Sequence, residues 1–356
     1  MEATELIPFK AGIAAGADMV MTAHITFPQI DGATPATMSK KIITDILRNR
    51  LGFKGVVVTD SLNMGAITQH FSQADVAKSC INAGVDLLLS PFYLRNASEI
   101  QAAGAYIDSI ATMVSQGVIS ESMIDEAVTR LLTLKFNRGI MTHGNANAGN
   151  AAATVGSGAH LNTELAIAKK AMTLLKNDGN VLPLREMSGK HVLVLVQTAS
   201  LRNTVESAIQ AHMSVANVSS ECEFTVKCAD TTPSAAVTED IAHADTVILV
   251  GSISSQSGLV AAASPAAGVF QLALATAKEA SIPVVFLSTR LPYDAGAYRS
   301  ASSILLSYSN NMIAAFSAIF GETNPTGKLP VNLPEVNGDM TFAGTVLYPR
   351  GFGLSY

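Results

Sequence analysis

Residues Gly52–Met64 read GFKGVVVTDSLNM. It places four β-forming residues, Val56–Thr59, directly before Asp60, and a segment with helical spacing follows. A strand followed by a helix is the repeating unit of parallel α/β folds, whose catalytic groups lie at the carboxyl ends of the strands. The sequence therefore predicts that Asp60 lies at the ligand-facing edge of a parallel sheet. Position alone leaves a second interpretation open, in which Asp60 only caps the following helix.

Two further strand and helix pairs flank this stretch. Ala17–His24 is predicted as a strand before a helix at Thr37–Leu51, and Val85–Ser90 as a strand before a helix near Ala97–Gln116. Ser120 is a good N-cap for one more amphipathic helix, which reaches Lys135. The first 141 residues therefore read as part of a sheet surrounded by helices.

A second α/β domain is predicted beyond a linker. Residues Thr142–Ala159 are almost all small or polar, which is typical of a flexible connection, so domains are expected at 1–141 and 160–356. A helix is expected at Thr163–Leu174 and a turn at Asn177–Gly179. The strands predicted after them are Val192–Val196, Val247–Gly251, Val284–Ser288 and Ser303–Ser307.

Composition limits the kinds of partner. The chain of 356 residues is 48% hydrophobic and 14% charged, with a net charge of −5 and no Lys/Arg-rich block. These values give no electrostatic reason to expect nucleic acid or an anionic membrane as partner, and the apolar runs are too short to span a bilayer. A neutral or weakly charged ligand fits better. The first residues lack the pattern of a signal peptide, and the compartment is left open, with an extracellular or cell-wall location favoured.

No cofactor or metal is expected. The three cysteines, Cys80, Cys222 and Cys228, lack the spacing of a metal site, although a Cys222–Cys228 disulfide stays open. The glycine-containing loop at Gly251–Gly258 lacks the Lys-Ser/Thr ending of a phosphate loop. Strand-ending serines occur, but none lies in a Gly-x-Ser-x-Gly elbow, so a serine hydrolase is disfavoured.

Five segments resemble glycoside hydrolase family 3, in particular its β-N-acetylglucosaminidase branch. Gly52–Ile67 resembles the nucleophile signature of that family. The other four segments are Pro8–Ile25, Ala83–Leu89, Leu174–Leu184, and Asn324–Val331 together with Tyr348–Tyr356. They follow one another in the family's order over almost the whole chain. The resemblance implies an α/β fold: the C-terminal portion of a (β/α)8 TIM-type barrel, followed by an α/β sandwich domain.

The resemblance also implies a mechanism. Asp60 would be the carboxylate nucleophile of a retaining glycosidase, kept ionised by nearby backbone N–H groups. His24 would face the same pocket and contact sugar hydroxyls, although loop packing is an alternative. Asn63 and Met64 would form the floor of the sugar site, with core packing the alternative for Met64. The expected substrate is a carbohydrate ending in β-linked N-acetylglucosamine, as in peptidoglycan or chitin fragments.

One element of the family's pattern is missing. In the N-acetylglucosaminidase branch a histidine in the motif Lys-His-Phe-Pro-Gly-His-Gly serves as acid/base, and this chain has no such motif. The first predicted strand matches the family's sixth, so about five strand and helix units are absent. An incomplete barrel predicts exposed apolar surface, self-association, and little activity of the chain alone. The alternatives are a non-catalytic carbohydrate-binding or interaction module and a β-glucosidase-like enzyme.

Overall fold

The structure is a computed structural model that describes residues 4–142, 147–213, 221–254 and 265–356. The chain divides into two compact units, Met1–Asn147 and Ala148–Tyr356. The division falls inside the segment predicted as a linker. That segment is not irregular throughout, because it contains a helix, Ala148–Thr154, and the next helix, Gly158–Ala171, begins five residues before the predicted Thr163. Alanine-rich composition favours helix and explains the difference.

The first unit contains a short parallel sheet. Strand β1, Met19–Met21, pairs with β2, Val56–Val58, and Leu87 forms a single parallel bridge to Val58. The strand predicted at Val85–Ser90 is therefore reduced to one bridge. Within residues 4–142 these strands do not close into a barrel, so the TIM-type barrel stays a prediction.

Helices surround this sheet. They are Leu6–Ala14, Pro28–Asp31, Lys41–Arg50, Gly65–Thr68, Gln73–Ala83, Ala97–Ser115 and Glu121–Asn137. The helix at Lys41–Arg50 has the wide turn of a π-helix, which the sequence did not predict. This turn buries Arg48 beside Ile43 and Leu47, whereas Ile42 and Ile46 are only partly buried. The core of the unit includes Ile43 and Leu47 together with Val57, Ile67, Val76 and Cys80.

The second unit is built on a six-stranded mixed sheet. Its strands are β3 (Thr173–Asn177), β4 (His191–Val196), β5 (Glu223–Cys228), β6 (Thr246–Gly251), β7 (Val284–Ser288) and β8 (Ser303–Leu306). Their spatial order is β3-β8-β7-β6-β4-β5, and only β3 runs antiparallel to its neighbour. Strands β9 (Leu333–Val336) and β10 (Phe342–Tyr348) form a separate antiparallel pair. The α/β architecture predicted for this half is confirmed.

Both faces of the large sheet are covered. In β4, Val192, Val194 and Val196 pack in one core, whereas Leu193 and Leu195 pack in the other. Burial on both faces explains why the strand reads as an uninterrupted apolar run. The covering helices are Gly158–Ala171, Ala199–Met213, Ser234–Ala242, Pro265–Glu279 and Met312–Ile319.

The cysteines are not paired. Cys80, Cys222 and Cys228 are free and buried. Cys222 precedes β5 and Cys228 ends it, so an extended strand separates them by about 20 Å, at roughly 3.3 Å per residue. The Cys222–Cys228 disulfide considered from the sequence is therefore wrong. Across the described ranges, no helix is both long and apolar enough to cross a bilayer.

Candidate active site

Asp60 lies two residues beyond the carboxyl end of β2, as predicted from the apolar run before it. The side chain is partly exposed, and its Oδ1 accepts a hydrogen bond of 2.7 Å from the backbone N–H of Ser61. Within the part of the chain that the structure describes, no Lys, Arg or His pairs with it. The strand end therefore presents a carboxylate that is held by its own backbone and accessible from outside.

The capping interpretation of Asp60 is wrong. The helix that follows begins at Gly65, four residues later than a cap at Asp60 would require, and its N-cap is Met64, which makes no side-chain capping bond. Asp60 bonds to the amide directly after it, not to an amide of the first helical turn. The segment with helical spacing after Asp60 forms only a short helix, Gly65–Thr68.

His24 lies close to the loop that follows β2, but both of its ring nitrogens have protein partners. Nε2 is 2.9 Å from the carbonyl oxygen of Ser61, and Nδ1 is 2.9 Å from the hydroxyl of Thr37. The Thr37 hydroxyl in turn accepts a hydrogen bond of 2.9 Å from Thr22. The predicted contact with sugar hydroxyls stays a prediction, and it would compete with these bonds.

Asn63 and Met64 follow Asp60 on the same loop. Asn63 Oδ1 accepts a hydrogen bond of 2.8 Å from the Ser61 hydroxyl, and its side chain is partly buried. Met64 is 45% exposed, so the core-packing alternative for this residue is wrong. An exposed thioether directly after the candidate nucleophile remains available to a ligand.

Asp86 has a different environment from Asp60. Its side chain is 1% exposed and accepts hydrogen bonds from Arg48 at 2.6 Å and from Arg130 at 2.8 Å. The Val57 amide donates a third bond of 2.7 Å. The sequence analysis missed both arginines, because Arg48 lies on a helix with an unusual turn and Arg130 is 44 residues away in the chain.

Other ionisable groups have protein partners too. In the second unit, Glu322 lies 2.8 Å from Nδ1 of the buried His212, whose Nε2 contacts the Ile313 carbonyl. Asp294 is fully buried, and desolvation raises the pKa of its carboxyl to about 7 although Ser288 hydrogen-bonds to it. Among the described residues, no cluster of three or more His, Cys, Asp or Glu side chains is arranged to hold a metal ion.

Sequence models of two domains match the chain. The glycosyl hydrolase family 3 N terminal domain matches residues 1–134, and the glycosyl hydrolase family 3 C-terminal domain matches residues 172–356. The chain belongs to glycoside hydrolase family 3. The family predicted from Gly52–Ile67 and the four other segments is therefore confirmed.

Individual relatives have several activities in their names. Beta-hexosaminidase A of Pseudoalteromonas piscicida is 28% identical over 376 residues, which cover 92% of this chain and 60% of that protein. Beta-glucosidase C of Emericella nidulans is 28% identical over 352 residues, which cover 92% of this chain and 50% of that protein. The chain thus spans only 60% and 50% of the length of these two relatives.

A solved structure agrees with this assignment. A family 3 β-N-acetylglucosaminidase from a Paenibacillus species superposes with a TM-score of 0.67 at 27% identity, covering 90% of this chain and 60% of that one. A β-glucosidase from Listeria innocua, solved with glucose, has a TM-score of 0.73 at 22% identity, which indicates a shared fold. The family is thus shown in both sequence and structure.

Proposed function

We propose that the chain carries the nucleophile half of a retaining exo-glycosidase, which releases terminal β-linked N-acetylglucosamine from peptidoglycan or chitin fragments. The observation that carries the proposal is the environment of Asp60. A nucleophilic carboxylate must be ionised and reachable by the anomeric carbon, and Asp60 is partly exposed at a strand end with one oxygen held by the Ser61 amide.

The reaction has two steps. A carboxylate oxygen of Asp60 attacks C1 of the sugar, the bond from C1 to the leaving oxygen breaks, and that oxygen takes a proton from a general acid. Water then attacks C1 of the glycosyl-Asp60 ester and gives a proton to the group that had served as general acid, while the bond from C1 to the Asp60 oxygen breaks and releases the carboxylate. The sugar leaves with its original anomeric configuration.

The acid/base motif of the N-acetylglucosaminidase branch does not occur in this chain. Glu322 is bonded to His212 and both ring nitrogens of His24 are bonded, so neither is our candidate for the acid. The family's acid/base motif lies in sequence preceding the segment similar to Pro8–Ile25. We therefore propose that the first unit is the later part of a (β/α)8 barrel, with Asn63 and Met64 on the floor of its sugar site.

The choice of sugar rests on the relatives. The names of several relatives specify β-hexosaminidase or β-N-acetylglucosaminidase. Other relatives are named β-glucosidases, which makes glucoside hydrolysis the second candidate. Paired assays with aryl N-acetyl-β-glucosaminides and aryl β-glucosides separate the two. Addition of phosphate tests whether water or phosphate is the acceptor.

The nucleophile is best tested with 2,4-dinitrophenyl N-acetyl-β-glucosaminide. Its leaving group is a weak base, so C1–O cleavage needs no general acid and the chain alone can complete the first step. We expect rapid release of dinitrophenolate followed by a slow phase. Asp60→Ala should abolish the rapid release, whereas Asp18→Ala, at an exposed aspartate that pairs with Arg138, should retain it. Equal release by Asp60→Ala would contradict the proposal, and no release by the unmodified chain would favour a non-catalytic module.

Self-association is proposed for the same incomplete unit. Met19 and Met21 on β1 are 41% and 54% exposed, and Phe9 on the preceding helix is 46% exposed. An edge strand with exposed apolar side chains favours association. Sedimentation velocity at increasing concentration should reveal dimers or larger species, and Met21→Lys should reduce them. A monomer at all concentrations would contradict this part of the proposal.

A further inference from the structure

A continuous series of hydrogen bonds connects the partly buried Thr22 to the candidate nucleophile. Thr22 donates to Thr37, Thr37 contacts His24 Nδ1, His24 Nε2 contacts the Ser61 carbonyl, and the Ser61 amide donates to Asp60 Oδ1. Each of the first three distances is 2.9 Å and the last is 2.7 Å. The series joins the segment after β1 to the loop after β2.

The direction of each bond follows from the groups involved. A carbonyl oxygen only accepts, so His24 Nε2 must carry a proton and donate to Ser61. With its one proton on Nε2, the ring has an accepting Nδ1, so the Thr37 hydroxyl donates to Nδ1. Thr37 is fully buried, so water does not compete for this bond. The Ser61 carbonyl and the Thr37 hydroxyl therefore both favour the tautomer that donates through Nε2.

Residue 61 is held at three of its polar groups. His24 binds its carbonyl, Asn63 accepts its hydroxyl proton, and its amide binds Asp60. The amide can point at Asp60 Oδ1 only while the Ser61 backbone keeps its orientation. His24 is thus placed to control the carboxylate through the backbone, without touching it.

We propose that His24 is a positioning residue that orients the Asp60 carboxylate by clamping the Ser61 carbonyl, and that Thr37 sets the tautomer required for this. The proposal rests on the proposed nucleophilic role of Asp60. It gives His24 a different role from the sugar contact expected from the sequence, because both ring nitrogens are used within the protein.

The first test needs no activity. Long-range ¹H–¹⁵N spectra of the histidine-labelled chain, with His24 assigned from the signals lost in His24→Gln, should give the tautomer protonated at Nε2. In His24→Leu, which keeps the approximate volume but has no donor, the Ser61 amide should lose protection from exchange by about tenfold or more. His24→Gln, whose amide N–H can still reach the Ser61 carbonyl, should keep it. An Nδ1-protonated imidazole, or an unchanged Ser61 amide in His24→Leu, would overturn the proposal.

The second test separates positioning from sugar binding. With the 2,4-dinitrophenyl substrate, His24→Leu should slow the rapid phase by about 10²-fold at unchanged KM, since a small displacement of a reacting group has an effect of this size. His24→Gln should restore most of the rate, and Thr37→Val should give an intermediate loss. A raised KM at unchanged rate would instead identify His24 as a sugar ligand and overturn the proposal.

The two proposals can fail separately. If Asp60→Ala retains the rapid phase, the nucleophile assignment is wrong, and the role of His24 in that reaction is rejected with it. If Asp60→Ala abolishes the phase but His24→Leu leaves its rate unchanged, the nucleophile stands and only the positioning role is rejected. The tautomer and the Ser61 amide test the clamp even where the chain releases no dinitrophenolate.

Discussion

Asp60 and Asp86 are both adjacent to strand β2, yet their environments are opposite. Asp86 is buried with two arginines and the Val57 amide around its carboxylate, whereas Asp60 is partly exposed and, among the described residues, is bonded only to the next amide. Burying a carboxylate is costly unless cations and donors compensate for the lost water, which is the arrangement around Asp86. The comparison indicates that Asp86 stabilises the fold, while the carboxylate of Asp60 is left accessible.

The largest effect expected is on the chemistry of Asp60. Asp60→Asn keeps the shape of the side chain but removes the negative charge, so release of dinitrophenolate should fall by about 10³-fold or more. The midpoint of thermal unfolding should change little, because no ion pair of the described residues is lost. Stopped-flow absorbance and calorimetry measure the two quantities. Unchanged release of dinitrophenolate by Asp60→Asn would contradict a chemical role for Asp60 that Asp86 does not share.

Asp86→Asn should have the reverse effect. Removing this charge leaves Arg48 without its anionic partner, and the Arg48 side chain is only 10% exposed. We therefore expect the free energy of unfolding to fall by about 3–5 kcal/mol. The control is Asp18→Asn, which breaks a half-exposed pair with Arg138 and should cost about 0–1 kcal/mol. Urea unfolding of both variants gives the values. Equal losses would show that burial does not distinguish the two pairs.

Asp294 extends the comparison to a carboxylate buried without a cation. Burial raises its pKa from 3.8 to about 7, so the folded state holds a proton that the unfolded state releases. The free energy of unfolding should therefore fall as the pH rises from about 4 to about 7, by up to ~4 kcal/mol at about 1.4 kcal/mol per pKa unit. Asp294→Asn should flatten this dependence in urea unfolding at a series of pH values. An equally steep dependence in the variant would contradict the assignment.

The smallest effect expected is at Met64, beside Asp60. Met64→Ala removes apolar contact with a bound sugar, worth about 1 kcal/mol, and should raise KM about fivefold. Stability should stay within about 0.5 kcal/mol, because the side chain is 45% exposed. Met141→Ala, at a methionine that is 58% exposed near the end of the first unit, serves as the control. Equal KM values for the two variants would place Met64 outside the sugar site.

The predictable parts of the fold are those with continuous apolar runs. Strands β4, β6 and β7 agree with the prediction within one residue, because burial on both faces leaves no polar position in the run. Strand β5 was missed, since it is an edge strand in which Glu223, Thr225 and Lys227 interrupt the apolar residues. Strand β3 was missed because Leu174 extends the apolar pattern of the preceding helix.

The site was only partly predictable for a related reason. The position of Asp60 follows from a local pattern, a strand followed directly by an acid. The bonds of His24 join residues 13 and 37 positions apart, and those of Asp86 span 38 and 44 positions. Contacts at such separations depend on tertiary packing, which no local pattern encodes. The burial of Asp294 likewise depends on tertiary packing and could not be predicted from a local pattern.

The covalent intermediate tests the central claim most directly. The chain is mixed with 2,4-dinitrophenyl N-acetyl-β-glucosaminide, stopped with acid during the rapid phase, and digested for mass spectrometry. We expect one N-acetylhexosamine attached as an ester to the peptide that contains Asp60. The same peptide of Asp60→Asn should carry no sugar. Dinitrophenolate release with the sugar on another carboxylate, or with no attached sugar at any time, would contradict it.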